Sequence, residues 1–142
     1  MSPLRGRFGG EQRRHEATHR ALLRGDGIDL PCRLRRTSAR GWGPWIDAVL
    51  ALGALPDGEA RWRVADPVAV GFPITRGPID LTFTEVTEVF LRPVRFQTEA
   101  FYGKAGEIVV LAADRGTIEV ALRPEHAGPV AVRLDELLFP GR

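Results

Sequence analysis

The residues of this chain whose types and spacing best fit a known chemistry are His15-Glu16-Ala17-Thr18-His19. They match H-E-x-x-H, in which two histidines one helical turn apart hold zinc and the glutamate activates the bound water. A zinc hydrolase through His15, Glu16 and His19 is therefore the catalytic alternative to weigh. Two features count against it. Such a motif lies on a buried helix crossing a cleft, whereas Arg13, Arg14, Arg20 and Arg24 surround this one with charge that repels a divalent cation. A third ligand is also needed, and His126 is the only other histidine. The match reads better as a coincidence on a solvated helix, and neither a metal nor a cofactor is expected.

Other reactive residues fit catalysis less well. Cys32 has no histidine near it in sequence and sits on an alternating stretch, so it reads as a small buried hydrophobe. As the single cysteine it excludes an internal disulfide and fits a reducing compartment. Gly41-Trp42-Gly43-Pro44 is too short for a phosphate-binding loop, and its proline removes a donor. Glu85, Glu88 and Glu99 lack the spacing of an acid–base pair and read as a solvated strand face. Trp42, Trp45 and Trp62 suit base stacking, but anchoring a small core is the commoner use, and Trp62 is expected to face inward with Val64.

Charge is the feature that speaks of partners. Residues 1–40 hold ten arginines against four carboxylates, a net of +6, while the remainder carries −4. A basic arm on a mildly acidic body is suited to phosphate, anionic lipid or an acidic partner. If Glu11 to Arg24 is a helix, Arg13, Arg20 and Arg24 share one face with Ala17 and Ala21, so the stripe is basic and small rather than apolar. Leu22 and Leu23 are placed to dock the end of that helix on the body. The candidate anion- or partner-binding residues are Arg13, Arg14, Arg20 and Arg24.

The body must position that arm. Its centre is Glu107 to Leu122, two apolar, β-branched runs around Asp114-Arg115-Gly116, where a three-residue hairpin needs a left-handed glycine. Ile108 to Ala113 is apolar on both faces, as in a strand covered on both sides. The second run puts Ile118, Val120 and Leu122 on one face and Thr117, Glu119 and Ala121 on the other.

Before it, Met1 to Gly10 reads as disordered, Glu11 to Arg24 as a helix, and Ile28 to Arg36 as an edge strand because of Pro31. Trp45 to Leu52, Ala60 to Val64, Val68 to Phe72 and Leu81 to Arg92 read as strands, with Val94 to Phe96 extending the pairing. After it, Pro124 opens a segment with helical spacing at Ala127, Val130, Leu134, Leu137 and Leu138. Gly128-Pro129 weakens that helix, and residues 130–134 also suit a strand.

The order predicts a mainly β protein with α, a small antiparallel barrel or bent sandwich with a basic N-terminal helix and a closing C-terminal helix. Residues 1–25 form the arm and residues 26–142 one domain, which is expected to fold without the arm. The start has no apolar run after its charge, so no signal peptide is expected, and no charge-free stretch is long enough to span a bilayer. A soluble, cytoplasmic protein is the expectation.

Cys32-Arg33-Leu34, Gly41-Trp42-Gly43, Ala60-Arg61-Trp62-Arg63, Gly116-Thr117-Ile118-Glu119-Val120-Ala121-Leu122 and Phe139-Pro140-Gly141 resemble an uncharacterised actinobacterial family of small proteins. Its members pair an N-terminal membrane helix with a pleckstrin-homology-like (PH-like) domain, and the resemblance runs from residue 26 to residue 141. It implies a PH-like body, with a basic segment here in place of the membrane helix. The reading is a non-enzymatic binding or scaffolding domain whose partner is an unidentified protein or an anionic surface. The alternatives are a nucleic-acid-binding protein using the arginine-rich N-terminus and the zinc hydrolase above.

Overall fold

The computed structural model of the protein describes residues 3–38, 41–55, 58–64, 86–113 and 116–141. The strand expected at Val68 to Phe72, the beginning of the one at Leu81, Glu85, and the side chains of Trp62 and Val64 lie outside the described residues. Helix α1 (Pro3–Arg24) precedes strands β1 (Ile28–Ser38), β2 (Gly41–Trp42), β3 (Ile46–Leu52), β4 (Ala60–Val64) and β5 (Val86–Pro93). A 3-10 turn (Gln97–Glu99) leads to β6 (Glu107–Ala113), β7 (Gly116–Leu122) and helix α2 (Pro124–Leu138). The strands form one curled antiparallel half-barrel in the order β4-β3-β1-β7-β6-β5, with β2 paired to the end of β1. The mainly β architecture, the N-terminal helix and the closing C-terminal helix are as expected. Among the described residues, no helix is long and apolar enough to cross a membrane.

The β6–β7 hairpin lies within the sheet, and β6 is covered on both faces as its composition requires. Val109 and Leu111 join the main core with Leu30, Leu34, Leu50, Val120 and the α2 residues Val130 and Leu134. Ile108 and Val110 face the other way, with Ala121, under Trp45, Val94, Phe101 and Tyr102. Each such fully buried aliphatic side chain contributes about 1.5–3 kcal/mol. Cys32 belongs to the main core, and burial pushes its thiol up to about 12, so it is the inert hydrophobe expected.

Four local expectations are corrected. Helix α1 begins at Pro3, where a first-turn proline loses no hydrogen bond, and so takes in the described part, Pro3 to Gly10, of the segment read as disordered. It stops at Gly25, whose φ of 81° and hydrogen bonds back to Leu22 and Ala21 carbonyls (the latter from Asp26 N–H) close the helix. Strand β1 is central rather than an edge. It pairs with β3 from Ile28 to Leu34 but with β7 only from Arg33 to Arg36, so Pro31 sits where one side has no strand partner among the described residues.

Val94 to Phe96 does not pair as a strand. Val94 turns under the outer face of the sheet and leads into the 3-10 turn. Residues 124–138 form the closing helix as expected, Pro129 included, and not a strand at 130–134.

The hairpin link is also shorter than its glycine suggests. Ala113 pairs directly with Gly116, so the connection is residues 114–115, and Gly116 belongs to β7. Its missing side chain serves a close approach: a Cβ there would lie 2.7 Å from the carbonyl oxygen of Thr37. Nearby, Thr117 N–H donates to Thr37 Oγ1 at 2.8 Å. A Gly116→Ala variant is expected to unfold at lower urea concentration, by about 1–3 kcal/mol, because β1 and β7 must part to admit the methyl group. An unchanged midpoint would mean that the strands separate there without cost.

Candidate functional site

Helix α1 has two faces of different character. Arg13, Arg14, Arg20 and Arg24 are all exposed, whereas His15, Thr18 and His19 are half-buried and Leu22 is 5% exposed and part of the main core. Positions 15, 18, 19 and 22 recur at intervals of three and four, the spacing of one helix face. That face packs against α2. The expected basic stripe is therefore the solvent face. Arg24 donates to Asp26 at 3.0 Å, and no ion pair among the described residues holds Arg13, Arg14 or Arg20. Leu22 docks as expected, while Leu23 points away.

The histidines of the zinc-like motif lie in the seam between α1 and α2 rather than on a solvated face, and His126 joins them. Nδ1 of His19 lies 3.1 Å from the Glu125 carbonyl oxygen. That carbonyl would ordinarily accept from residue 129, but Pro129 has no N–H to give, so the His19 imidazole supplies the missing donor. Nε2 of His126 lies 3.2 Å from the carbonyl oxygen of His15, and the two rings meet edge to face with centroids 5.8 Å apart. A carbonyl can only accept, so both nitrogens carry the proton. Burial pulls His126 below the ordinary histidine value, against the opposing pull of the His15 carbonyl and Glu125. Glu16 is exposed. Among the described residues, no three histidine, cysteine or carboxylate side chains converge on a point that could hold a metal ion.

A second cluster lies on the outer face of the sheet and was not legible in the sequence. Glu119 (4% exposed) and Glu99 (1%) are buried, and Arg92 bridges them. Its Nε donates to Glu119 at 2.5 Å, and its two terminal nitrogens donate to Glu99 at 2.6 and 3.0 Å. Arg35 reaches Glu119 from β1 at 2.7 Å, and the backbone N–H of Arg95 donates to Glu99 at 2.9 Å. The guanidinium of Arg35 lies between two indoles, 4.1 Å from the Trp42 ring centre and 4.7 Å from that of Trp45. Trp42 is thus 53% exposed and covers an arginine instead of the core, while Trp45 packs against Phe101 beneath Arg33.

Glu99 is therefore not on a solvated strand face; Glu88, on β5, is exposed. The available signal was Glu119, a carboxylate within a hairpin whose other strand is apolar on both faces and which needs a cationic partner.

This cluster holds charge rather than moving protons. The hydrogen bonds from Arg92 keep the Glu99 carboxyl below its ordinary range despite burial. Burial alone would push Glu119 up, but Arg92 and Arg35 more than offset it. Both groups add stability above the unfolded value of 4.5, and that stability is lost as the pH falls through their lower folded values. Replacing Glu119 with Gln is expected to cost about 3–5 kcal/mol at neutral pH, because Arg92 and Arg35 lose a buried partner. The Glu99→Gln, Glu119→Gln variant should lose less stability than the wild type on acidification below 4.5. Parallel acid unfolding of the two proteins would instead place the carboxylates outside the stabilising network.

No family model matches the chain, and no curated protein matches it. A solved structure of SsgB, from work correlating SsgB mutations with longitudinal cell division during sporulation of Streptomyces coelicolor, is similar over 83% of this chain and 94% of that one, at 19% identity. The TM-score of that match is 0.26, too low to carry an argument about fold or function.

Proposed function

We propose that this protein is a non-enzymatic binding or scaffolding module of the PH-like kind, using the exposed face of α1 to contact an anionic surface or an acidic partner. The observation that carries the reading is the division of α1. Its arginines Arg13, Arg14, Arg20 and Arg24 all face solvent, while Leu22, His15 and His19 anchor the opposite face to the body. A cationic row held on a fixed helix attracts anions without paying again to order the chain. The non-enzymatic part is supported by the buried carboxylates, each committed to arginine, and by the Cys32 thiol at about 12. Among the α1 residues whose exposure is described, Leu23 is the large apolar side chain in solvent, which favours electrostatic contact over deep insertion.

The test is binding to vesicles of equal parts phosphatidylcholine and phosphatidylglycerol, with duplex DNA as a second arm. Wild-type protein should bind at low salt and release as salt rises. Replacing Arg13, Arg14, Arg20 and Arg24 with glutamine should abolish binding yet leave stability within about 1 kcal/mol, since exposed pairs such as Arg24–Asp26 contribute little. Binding to DNA but not to vesicles would identify nucleic acid as the partner of the same face. A wild-type protein that ignores both at low salt overturns the proposal.

A further inference from the structure

The chain has three histidines, and all of them meet where α1 lies on α2. From this juxtaposition we infer that the seam is a proton-sensitive clasp: protonation of His126 releases α1 from α2, so the basic helix is docked at neutral pH and freed by acid. The surroundings of His126 disfavour a positive charge on its ring. Its Nε2 hydrogen is committed to the His15 carbonyl, and the ring is 4% exposed. It is also the third residue of α2, at the positive end of that helix's dipole.

The charged groups that face it are His15 from α1 and Glu125 and Arg123 from the start of α2. Glu125, the one anion among them, is already paired with Arg123 at 2.7 Å. His19 also donates to a carbonyl, through Nδ1 to Glu125, but its ring is half-buried where that of His126 is buried.

The sign follows from linkage. Docked α1 keeps His126 neutral, whereas an undocked α1 lets it titrate near the ordinary 6.5, from which burial has lowered it. Docking is at full strength above that value and weakens as the pH falls below it, by about tenfold per pH unit for one proton. Release would uncover a protonated His126 beside the arginines already exposed, so acid would strengthen attachment to an anionic surface. That consequence rests on the function proposed above; the clasp itself does not.

The experiment follows amide hydrogen exchange of the full chain from neutral to mildly acid pH, corrected for intrinsic rates, beside a proton NMR titration of the histidine rings. Wild-type α1 should lose protection below 6.5 while β6 and β7 stay protected, and the His126 ring should titrate with the same midpoint. His126→Gln keeps a donor toward the His15 carbonyl but cannot titrate, and its α1 should stay protected throughout. Wild-type α1 that stays protected while His126 titrates overturns the inference, as does a His126→Gln variant that loses protection like the wild type. Should that variant not fold, the coincidence of the two wild-type midpoints decides. Phosphatidylglycerol vesicles added across the same range separate the two readings. Undocking without vesicle binding at any pH leaves the clasp standing and removes the role given to α1.

Discussion

Arg133 is the interaction on which the placement of α1 depends. It is 2% exposed, deep in α2, and no carboxylate pairs with it among the described residues. Its guanidinium is held by backbone carbonyls instead: Nη1 lies 3.4 Å from the oxygen of Leu22, and Nη2 donates to Gly53 at 2.8 Å and to Asp26. Those three oxygens belong to the last turn of α1, the link into β1 and the turn leaving β3. One side chain thus ties the first helix, the first strand and the β3–β4 connection to the closing helix. The negative end of the α1 dipole favours a cation at that point. Burial still draws the guanidinium down from its usual range, with Asp26 and Glu136 opposing. With α1 fixed in this way, Leu22 reaches the core and the histidines reach α2.

The two faces of the sheet are stabilised by different means. The inner face is apolar and covered by α2, so its contribution scales with area removed from water. The outer face carries arginines and carboxylates under a segment running from Val94 to Gly106. There the charged groups are acceptable only because each buried carboxylate meets a guanidinium within hydrogen-bonding distance. Losing one partner from such a set is costlier than the set itself is stabilising, which makes it a lock on geometry more than a source of stability.

What could be read from the sequence was whatever repeats along it. The double-sided apolar run of β6, the alternation of β7 and the spacing of Val130 and Leu134 each follow from local periodicity, and the structure has them. The exposed arginine stripe of α1 was legible for the same reason. What escaped was set by contacts between residues far apart in the chain. Gly116 answers to Thr37, Arg35 to Glu119, and Arg133 to Leu22. The histidines show the limit most plainly. Their spacing matches a metal motif, yet His19 is where it is because Pro129, on another helix, lacks a hydrogen to donate.

The strand order has a kinetic consequence. β1, β3 and β4 form one sequence-local meander, and β5, β6 and β7 form another. They are joined through β1 and β7 over the register from Arg33–Ala121 to Arg36–Ile118. Hairpins within each meander close short loops and form in about 1–10 μs, but the joining contact must close a loop spanning most of the chain. That closure is the entropic bottleneck, and its cross-strand groups, Arg35 and Glu119, carry opposite charge. The ion pair that holds the finished sheet is also the one suited to align its halves when they first meet.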